Sequence, residues 1–255
     1  MAWDPVGLHY ACSVAETYFT DGSEKIVARN PMYYTSPNPD DWETEQYAAQ
    51  MGYVPGFWNA YSVGAYAEPG LCAKHVDVQG QHAYVINEAF MDDFWVRELR
   101  IVDISNPQLP ARVGVCDLGE GYGATDIHVA GDYAYITGYG GLHLTTVDCN
   151  DKANPVIKGS VQFVDHDFGF DSRPRSLFVD YPFAYVVAQH AGFNIVNVSN
   201  PAALYVVGQW DPGVYDMWGN AFVAGNYAYV VVQDFHVIDV SNKSTPARVG
   251  YLSIG

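Results

Sequence analysis

Short segments rich in Val, Ile, Tyr and Phe recur along this chain, and clusters of Gly, Asn, Asp, Ser and Pro separate them. Segments of this kind favour β-strands, whereas an amphipathic helix needs a longer run with apolar residues every three or four positions. From about residue 73 to the end of the chain, no helical pattern fits between the strand segments. The pattern therefore predicts an antiparallel all-β fold and excludes a parallel α/β fold.

One sixteen-residue phrase occurs four times without a gap. Each copy has a strand-like segment related to LxIVD, then a turn that reads Ser-Asn-Pro in two copies, then a strand with Val-Gly or Lys-Gly. The copies are Leu99–Gly114, Leu144–Gly159, Phe193–Gly208 and Phe235–Gly250. Their starting positions are separated by 45, 49 and 42 residues, a period typical of propellers and solenoids.

A second phrase precedes each copy and completes the repeating unit. It resembles V-x-x-x-x-A-Y-[VI], and its copies begin at His75, Asp126, Ser176 and Asn220. Turn residues such as Gly-Asp and Gly-Asn divide it into the two strands of a hairpin. The unit therefore has four strands in about 45 residues, which is the size of one propeller blade. A single blade exposes its apolar faces, so stacking of neighbouring blades explains why the unit recurs.

These units resemble LVIVD repeats, a family of β-propeller blades found in secreted or surface proteins of bacteria and archaea. The segments that carry the resemblance are Leu99–Asp103, Leu144–Asp148, Phe193–Asn197 and Phe235–Asp239, and Asn197 departs from the Asp of the pattern. The resemblance covers about residues 62–255. It implies a propeller with an interaction role, and it carries over no catalytic residue because the family is defined by its scaffold.

The repeats predict one propeller domain over residues 1–255, with four LVIVD-like blades in 61–255 and an irregular blade with an insertion in 1–60. Within the insertion, Asn38 as N-cap, Pro39 and a terminal Gly52 predict a short helix. We therefore expect a β-propeller of five four-stranded antiparallel blades. A different ring size, or an open array that is part of a longer chain, is the alternative.

Composition narrows the choice of partners. Twelve Lys and Arg against 29 Asp and Glu give a net charge of −17, which disfavours nucleic acid and anionic membranes. No stretch is long and apolar enough to predict a membrane-spanning helix, and the N-terminal residues do not predict a signal peptide. Few charged residues (16%) together with 20 Tyr, 24 Gly and 14 Pro are typical of extracellular β-rich proteins. We therefore expect an extracellular, cell-surface or periplasmic location.

The four cysteines, Cys12, Cys72, Cys116 and Cys149, form no C-x-x-C pair, which argues against a zinc ribbon or a thioredoxin-like site. Two disulfides, in any of three pairings, or four buried thiols are both compatible with the sequence.

Candidate ligand-binding residues lie where the innermost strands begin and in the adjoining loops. Equivalent positions of a ring converge on its axis, and the loops there are rich in aromatic, acidic and amide side chains that suit a carbohydrate or peptide. The candidates are Lys74, His75, Tyr122, Asp126, Tyr139, His166, Arg175, His190 and Trp218. Ordinary loop packing is the alternative.

One acidic loop is a candidate metal site. Asp165, Asp167 and Asp171 lie at alternating positions around Gly169, a spacing that suits Ca²⁺, although the EF-hand pattern is incomplete. An acidic solvated loop without any cofactor is the alternative.

The sequence leads to two main functional hypotheses. The first is a secreted or cell-surface propeller that binds protein or glycan. The second is a propeller enzyme, a polysaccharide lyase or hydrolase with a polar axial site, although no nucleophile–base spacing is visible. A purely structural module of a larger assembly is the third possibility, because a fold does not determine function.

Overall fold

The computed structural model describes residues 72–91, 94–120, 123–139, 142–163, 172–213 and 219–254. In these ranges every regular element is a β-strand, and the strands form four antiparallel sheets of four. The prediction of all-β, four-stranded blades is confirmed. The fifth, irregular blade and the short helix were predicted within residues 1–60, outside the described ranges, so both stay predictions.

Each sheet is a meander in which consecutive strands are neighbours. Blade 1 contains β1 (Cys72–Gln79), β2 (His82–Met91), β3 (Phe94–Asp103) and β4 (Ala111–Glu120). Blade 2 contains β5 (Ala124–Ala130), β6 (Tyr133–Gly138), β7 (His143–Asp148) and β8 (Val156–Val161). Blade 3 contains β9 (Pro174–Asp180), β10 (Phe183–Ala188), β11 (Gly192–Asn197) and β12 (Tyr205–Trp210). Blade 4 contains β13 (Gly219–Ala224), β14 (Tyr227–Val232), β15 (Asp234–Asp239) and β16 (Ala247–Leu252).

The first strands of the four blades lie side by side in chain order: β1 contacts β5, β5 contacts β9, and β9 contacts β13. One apolar cluster fills each space between blades. Between blades 1 and 2, for example, Tyr84 and Ile86 of β2 pack against Ile127 and Val129 of β5. Alternation of side chains along each strand thus buries both faces of the inner blades, as the repeat requires.

The outer faces of the first and fourth blades are exposed. Val78 of β1 is 54% exposed, whereas its repeat equivalent Val129 is 7% exposed. Tyr229 of β14 is 37% exposed, whereas its equivalent Tyr84 is 1% exposed. The same repeat position is therefore buried or exposed according to whether a described blade lies against it.

The last residue of each LxIVD-like segment caps the turn that follows. Its side-chain Oδ1 accepts a hydrogen bond from the amide two residues further on, at 2.8–3.0 Å, in all four blades. The acceptors are Asp103, Asp148, Asn197 and Asp239. Asn197, which departs from the family pattern, makes the same bond because an amide oxygen accepts as a carboxylate oxygen does.

The repeated glycine of the outermost strand allows one blade to approach the turn of the next. A Cβ on Gly114 would lie 2.0 Å from the Lys152 carbonyl oxygen, and a Cβ on Gly208 would lie 2.1 Å from the Lys243 carbonyl oxygen. Gly250 differs, because the atoms nearest to its Cβ belong to Val237 of its own blade, at 3.1 Å. The glycine is thus needed at the contact between blades.

The cysteines are in two different states. Cys72, at the start of β1, is disulfide-bonded, whereas Cys116 and Cys149 are free and buried. The two-disulfide arrangement is therefore not formed. Burial raises the pKa of the Cys149 thiol to about 11 and also raises the pKa of the Cys116 thiol. Both thiols behave as small apolar side chains of the core between blades 1 and 2.

Candidate functional site

A cavity of about 340 Å³ lies where the innermost strands begin. Each of the four blades contributes to its walls, and the lining residues are His75 of β1, Ala124 and Thr125 of β5, Arg175 of β9 and Gly219 of β13. Thr125, Arg175 and Gly219 occupy one and the same repeat position. The first strands of consecutive blades are neighbours, so residues at the same repeat position come together and form the cavity wall.

The Arg175 side chain is held at the cavity wall by two hydrogen bonds and a ring contact. Its Nη2 donates to Gln189 Oε1 at 2.9 Å, and its Nη1 donates to the Tyr139 hydroxyl. Its guanidinium also lies 5.0 Å from the centroid of the Tyr139 ring, within the range of a cation–π contact. These contacts fix the direction of a positive charge at the cavity wall.

Tyr139 lies in the loop after β6, and its backbone is held from two sides. Its amide donates to the Gly123 carbonyl at 2.9 Å, and its carbonyl accepts from Arg97 Nη1 at 2.7 Å. A Cβ on Gly123 would lie 2.2 Å from the Tyr139 ring, so only glycine leaves room for the ring. The Arg173 guanidinium lies 5.4 Å from the centroid of this ring. Tyr139 therefore acts as a support for arginine side chains.

His75 connects the first two blades at the cavity wall. Its Nε2–H donates to the Ala124 carbonyl oxygen at 3.1 Å. A carbonyl only accepts, so the proton of the neutral ring lies on Nε2, and Nδ1 keeps its lone pair. His75 and Arg175 both line the cavity.

Asp126, a predicted ligand residue, holds two blades together and is not part of the cavity wall. Its Oδ2 accepts from the Leu177 amide of β9 at 2.9 Å, and its Oδ1 accepts from the Ile127 amide at 2.9 Å. Burial raises the pKa of this carboxyl group against the opposing effect of both amides. Asp77 of blade 1, two positions further along the repeat, makes a similar bridge to blade 2 by accepting from the Val129 amide at 2.6 Å.

The other predicted residues are placed as follows. Lys74 is exposed on β1, and His190 is half-buried in the loop between β10 and β11, beside Gln189; neither is among the residues that line the cavity. Tyr122, His166, Trp218 and the aspartates Asp165, Asp167 and Asp171 lie outside the described residues. Among the residues that the structure does describe, no group of three or more His, Cys, Asp or Glu side chains is arranged to hold a metal ion.

Sequence reasoning missed the residues that support the loops at this end of the blades. Within the LxIVD-like strand, the second position is polar and buried in every blade: Arg100, Thr145, Asn194 and His236. In blades 2 and 3 this side chain donates to a loop carbonyl, Thr145 to Leu142 and Asn194 to Ala191. A polar residue in the middle of an apolar strand was the available signal, since buried polar groups need partners.

Comparison with solved structures gives partial matches of low sequence identity. A putative 6-phosphogluconolactonase of Bacteroides fragilis NCTC 9343 has 16% identity and a TM-score of 0.54, over 76% of this chain and 59% of that one. A putative 6-phosphogluconolactonase of Bacteroides uniformis ATCC 8492 has 7% identity and a TM-score of 0.55, over 71% of this chain and 57% of that one. The chain thus spans less than three fifths of these proteins, and the likeness concerns the fold alone.

No curated protein matches the chain significantly in sequence. Within the described ranges, we find no helix with the length and apolar character needed to cross a membrane. The family model for the LVIVD repeat matches four segments, residues 72–118, 121–162, 175–211 and 219–252, which correspond to the four blades. These matches cover more than half of the chain, and the chain therefore belongs to the LVIVD-repeat family.

Proposed function

We propose that this protein is a secreted or cell-surface binding module that takes a glycan or protein ligand at the axial cavity. The observation that carries the proposal is the cavity itself, to which the innermost strands of four blades contribute. Binding pockets combine a preformed concave surface with a few polar groups in fixed positions. Here the polar groups are His75, Thr125 and Arg175, and hydrogen bonds hold all three. His75 bonds to the Ala124 carbonyl, Thr125 to the Thr137 hydroxyl, and Arg175 to Tyr139 and Gln189.

The cavity suits a glycan ligand better than it suits a protein ligand with a flat binding surface. A volume of about 340 Å³ is at the small end of the range for ligand pockets, and standard protein interfaces need a much larger buried area. A protein ligand would have to insert a side chain or a terminus. The disulfide at Cys72 supports a location outside the cytosol, because disulfides persist in oxidising compartments.

A cavity-filling substitution tests the proposal. Thr125→Trp places a bulky ring in the cavity, and Ala247→Trp, on the exposed outermost strand β16, is the matched control. We expect the wild type and the control to bind the same members of an array of neutral and acidic glycans and peptides, and Thr125→Trp to bind at least about tenfold more weakly. A Thr125→Trp protein that melts like the wild type and binds equally well would refute the proposal.

The second candidate function is a polysaccharide lyase or hydrolase, and the geometry of His75 favours it. The bond from Nε2–H to the Ala124 carbonyl leaves Nδ1 as the nitrogen that can accept a proton. We would test it by incubating the chain with the bound glycans and following new reducing ends and unsaturated products. Turnover that disappears in His75→Gln would establish an enzyme. Binding without turnover would refute the enzyme hypothesis and support the binding module.

A further inference from the structure

We propose that the axial cavity selects a sugar residue that carries an anionic group, such as a carboxylate, sulfate or phosphate. This inference rests on the proposed function, since it names the ligand chemistry of the same site. The first reason is the chemistry of the walls. A guanidinium, an imidazole and a hydroxyl project from otherwise small residues, and among the described lining residues there is no carboxylate.

Two described carboxylates, Asp126 beside Thr125 in sequence and Glu88 bonded to Ala124, accept hydrogen bonds from backbone amides. Asp126 accepts from the amides of Ile127 and Leu177 through its two oxygens. Glu88 is buried and accepts from the Ala124 amide at 2.6 Å, and it pairs in register with Arg97 on β3. Both groups therefore join strands and blades, and Arg175 is the guanidinium among the described residues that line the cavity.

Arg175 is arranged as an anion-binding group should be. Its contacts with the Tyr139 hydroxyl and Gln189 hold the planar guanidinium before a ligand arrives, so little side-chain entropy is lost on binding. A guanidinium forms strong, charge-assisted hydrogen bonds with carboxylate, sulfate and phosphate oxygens. The Tyr139 ring is already in contact with Arg175 and Arg173. Charge, more than stacking of a sugar on this ring, is therefore what the site offers.

The charge of the whole protein limits the length of the ligand. With a net charge of −17, the protein repels an extended polyanion, so a local cationic wall favours a ligand with one anionic residue or a short acidic oligosaccharide. The small cavity leads to the same choice, because it holds a sugar residue and not a long chain. An acidic peptide is the competing ligand class, and the experiment below separates it.

The experiment compares sugars that differ only in charge. Calorimetric titrations of the full chain would use galacturonate against galactose, glucuronate against glucose, and glucose 6-sulfate and glucose 6-phosphate to identify the preferred anion. We expect at least about tenfold tighter binding of the best acidic sugar than of its neutral counterpart, and we expect that binding to weaken with added salt. Short Asp- and Glu-containing peptides form the comparison arm.

Variants then locate the charge. Arg175→Gln should lose the preference for acidic sugars, and Arg175→Lys should recover part of it because the positive charge remains. Arg248→Gln on β16 is the matched control, since Arg248 also lies over a tyrosine ring, 5.2 Å from the centroid of Tyr251, but does not line the cavity. Melting temperatures verify that each variant folds, and the salt dependence of the wild type provides a test that needs no variant.

The outcomes separate this inference from the proposed function. Equal affinity for acidic and neutral sugars, with Arg175→Gln unchanged, would overturn the anionic specificity while leaving a sugar-binding module. Tighter binding of acidic peptides than of any sugar would likewise overturn it. If the chain and Thr125→Trp both bind nothing in the array, the proposed function fails and this inference fails with it.

Discussion

The aspartates that end the LxIVD-like segments act as turn caps, and this role makes them sensitive to acid. Hydrogen bonds from Ser105 hold the pKa of Asp103 below its usual value. The bond from the backbone amide of Ser105 has the larger effect, and the bond from its hydroxyl has the smaller one. Hydrogen bonds from Ser241 do the same for Asp239. Asn197 accepts the equivalent bond and cannot titrate. The repeat therefore contains a natural comparison between the two kinds of cap.

We predict that the double variant Asp103→Asn, Asp239→Asn loses less stability in acid than the wild type. Because the folded pKa of each carboxyl lies below its unfolded value of about 4, its contribution is present above that pH and is lost as the pH falls through the folded pKa. An asparagine keeps the hydrogen bond without this loss. Urea midpoints between about pH 5 and pH 2.5 measure the effect. The control is the double variant Asp132→Asn, Asp180→Asn. The prediction is refuted if the Asp103→Asn, Asp239→Asn variant loses stability with falling pH as steeply as the wild type or as the control.

Tyr139 is a positioning residue whose hydroxyl we expect to matter for ligand affinity. Tyr139→Phe keeps the ring near Arg175 but removes the acceptor of the Nη1 hydrogen bond. Affinity for the acidic sugar should fall several-fold, while affinity for the neutral sugar should not change. Tyr251→Phe, which also loses a hydroxyl contact and also lies under an arginine, is the control. Equal effects of the two substitutions would show that the Tyr139 hydroxyl does not orient Arg175 for binding.

At the scale of the element, the repeated glycine of the outermost strands determines how closely two blades approach. Gly114 and Gly208 face a carbonyl oxygen of the next blade's turn, whereas Gly250 faces Val237 of its own strand pair. One sequence motif therefore has two different environments in the same molecule. The difference follows from the neighbours of each blade and not from the local sequence.

We predict that Gly208→Ala destabilises the protein by about 2 kcal/mol, within the range for overpacking, because the methyl group would press on the Lys243 carbonyl. Gly250→Ala should change the free energy of unfolding by less than about 1 kcal/mol. Chemical denaturation of the two variants side by side makes the measurement. If both substitutions lower the free energy of unfolding equally, the close approach between blades is not the reason that this position needs a glycine.

The strands could be predicted from the sequence because the same strand and turn signals recur in the same order in each repeat unit. The alternation in the hairpin phrase, the LxIVD-like strand and the proline- or asparagine-containing turn gave the four strands of each unit, since these signals are local. The sequence placed the start of the first unit at about residue 73, and β1 begins one residue earlier, at Cys72.

The candidate site was predictable only in part. Alignment of the repeats placed Arg175 and Thr125 at one position, and the cavity contains both. Asp126 was expected beside them but bonds to the Leu177 amide, because the edge amide of the next innermost strand needs an acceptor and only the assembled blades show this. The contacts of Tyr139 and Gln189 with Arg175 depend on the path of two loops, which no sequence spacing reveals.

At the scale of the whole molecule, stability comes from stacking each blade on the next. Three apolar clusters join the four described blades, and each contains residues of two neighbouring blades. Energy in such an array is approximately a sum over blades and the interfaces between neighbours. Equivalent residues should therefore contribute according to the interface they occupy.

We predict that Val129→Ala costs about 2 kcal/mol of stability, whereas Val78→Ala changes it by less than about 1 kcal/mol. The two valines occupy the same repeat position, but Val129 is buried against blade 1 and Val78 is exposed. Urea unfolding, monitored by circular dichroism and tyrosine fluorescence, measures the free energy of unfolding of both variants. A cost for Val78→Ala as large as that for Val129→Ala would mean that this exposed face is also packed in solution.

Amide chemical shifts recorded while galacturonate is added test the central claim most directly, because they locate the ligand on the intact protein. We predict that the amides of Ala124, Thr125 and Gly219 shift together with the His75 side chain and give one dissociation constant. Signals of the outermost strands β4, β8, β12 and β16 should stay in place. Shifts confined to those outermost strands, or innermost strands that remain unperturbed at saturation, would contradict a ligand site built by the convergence of the blades.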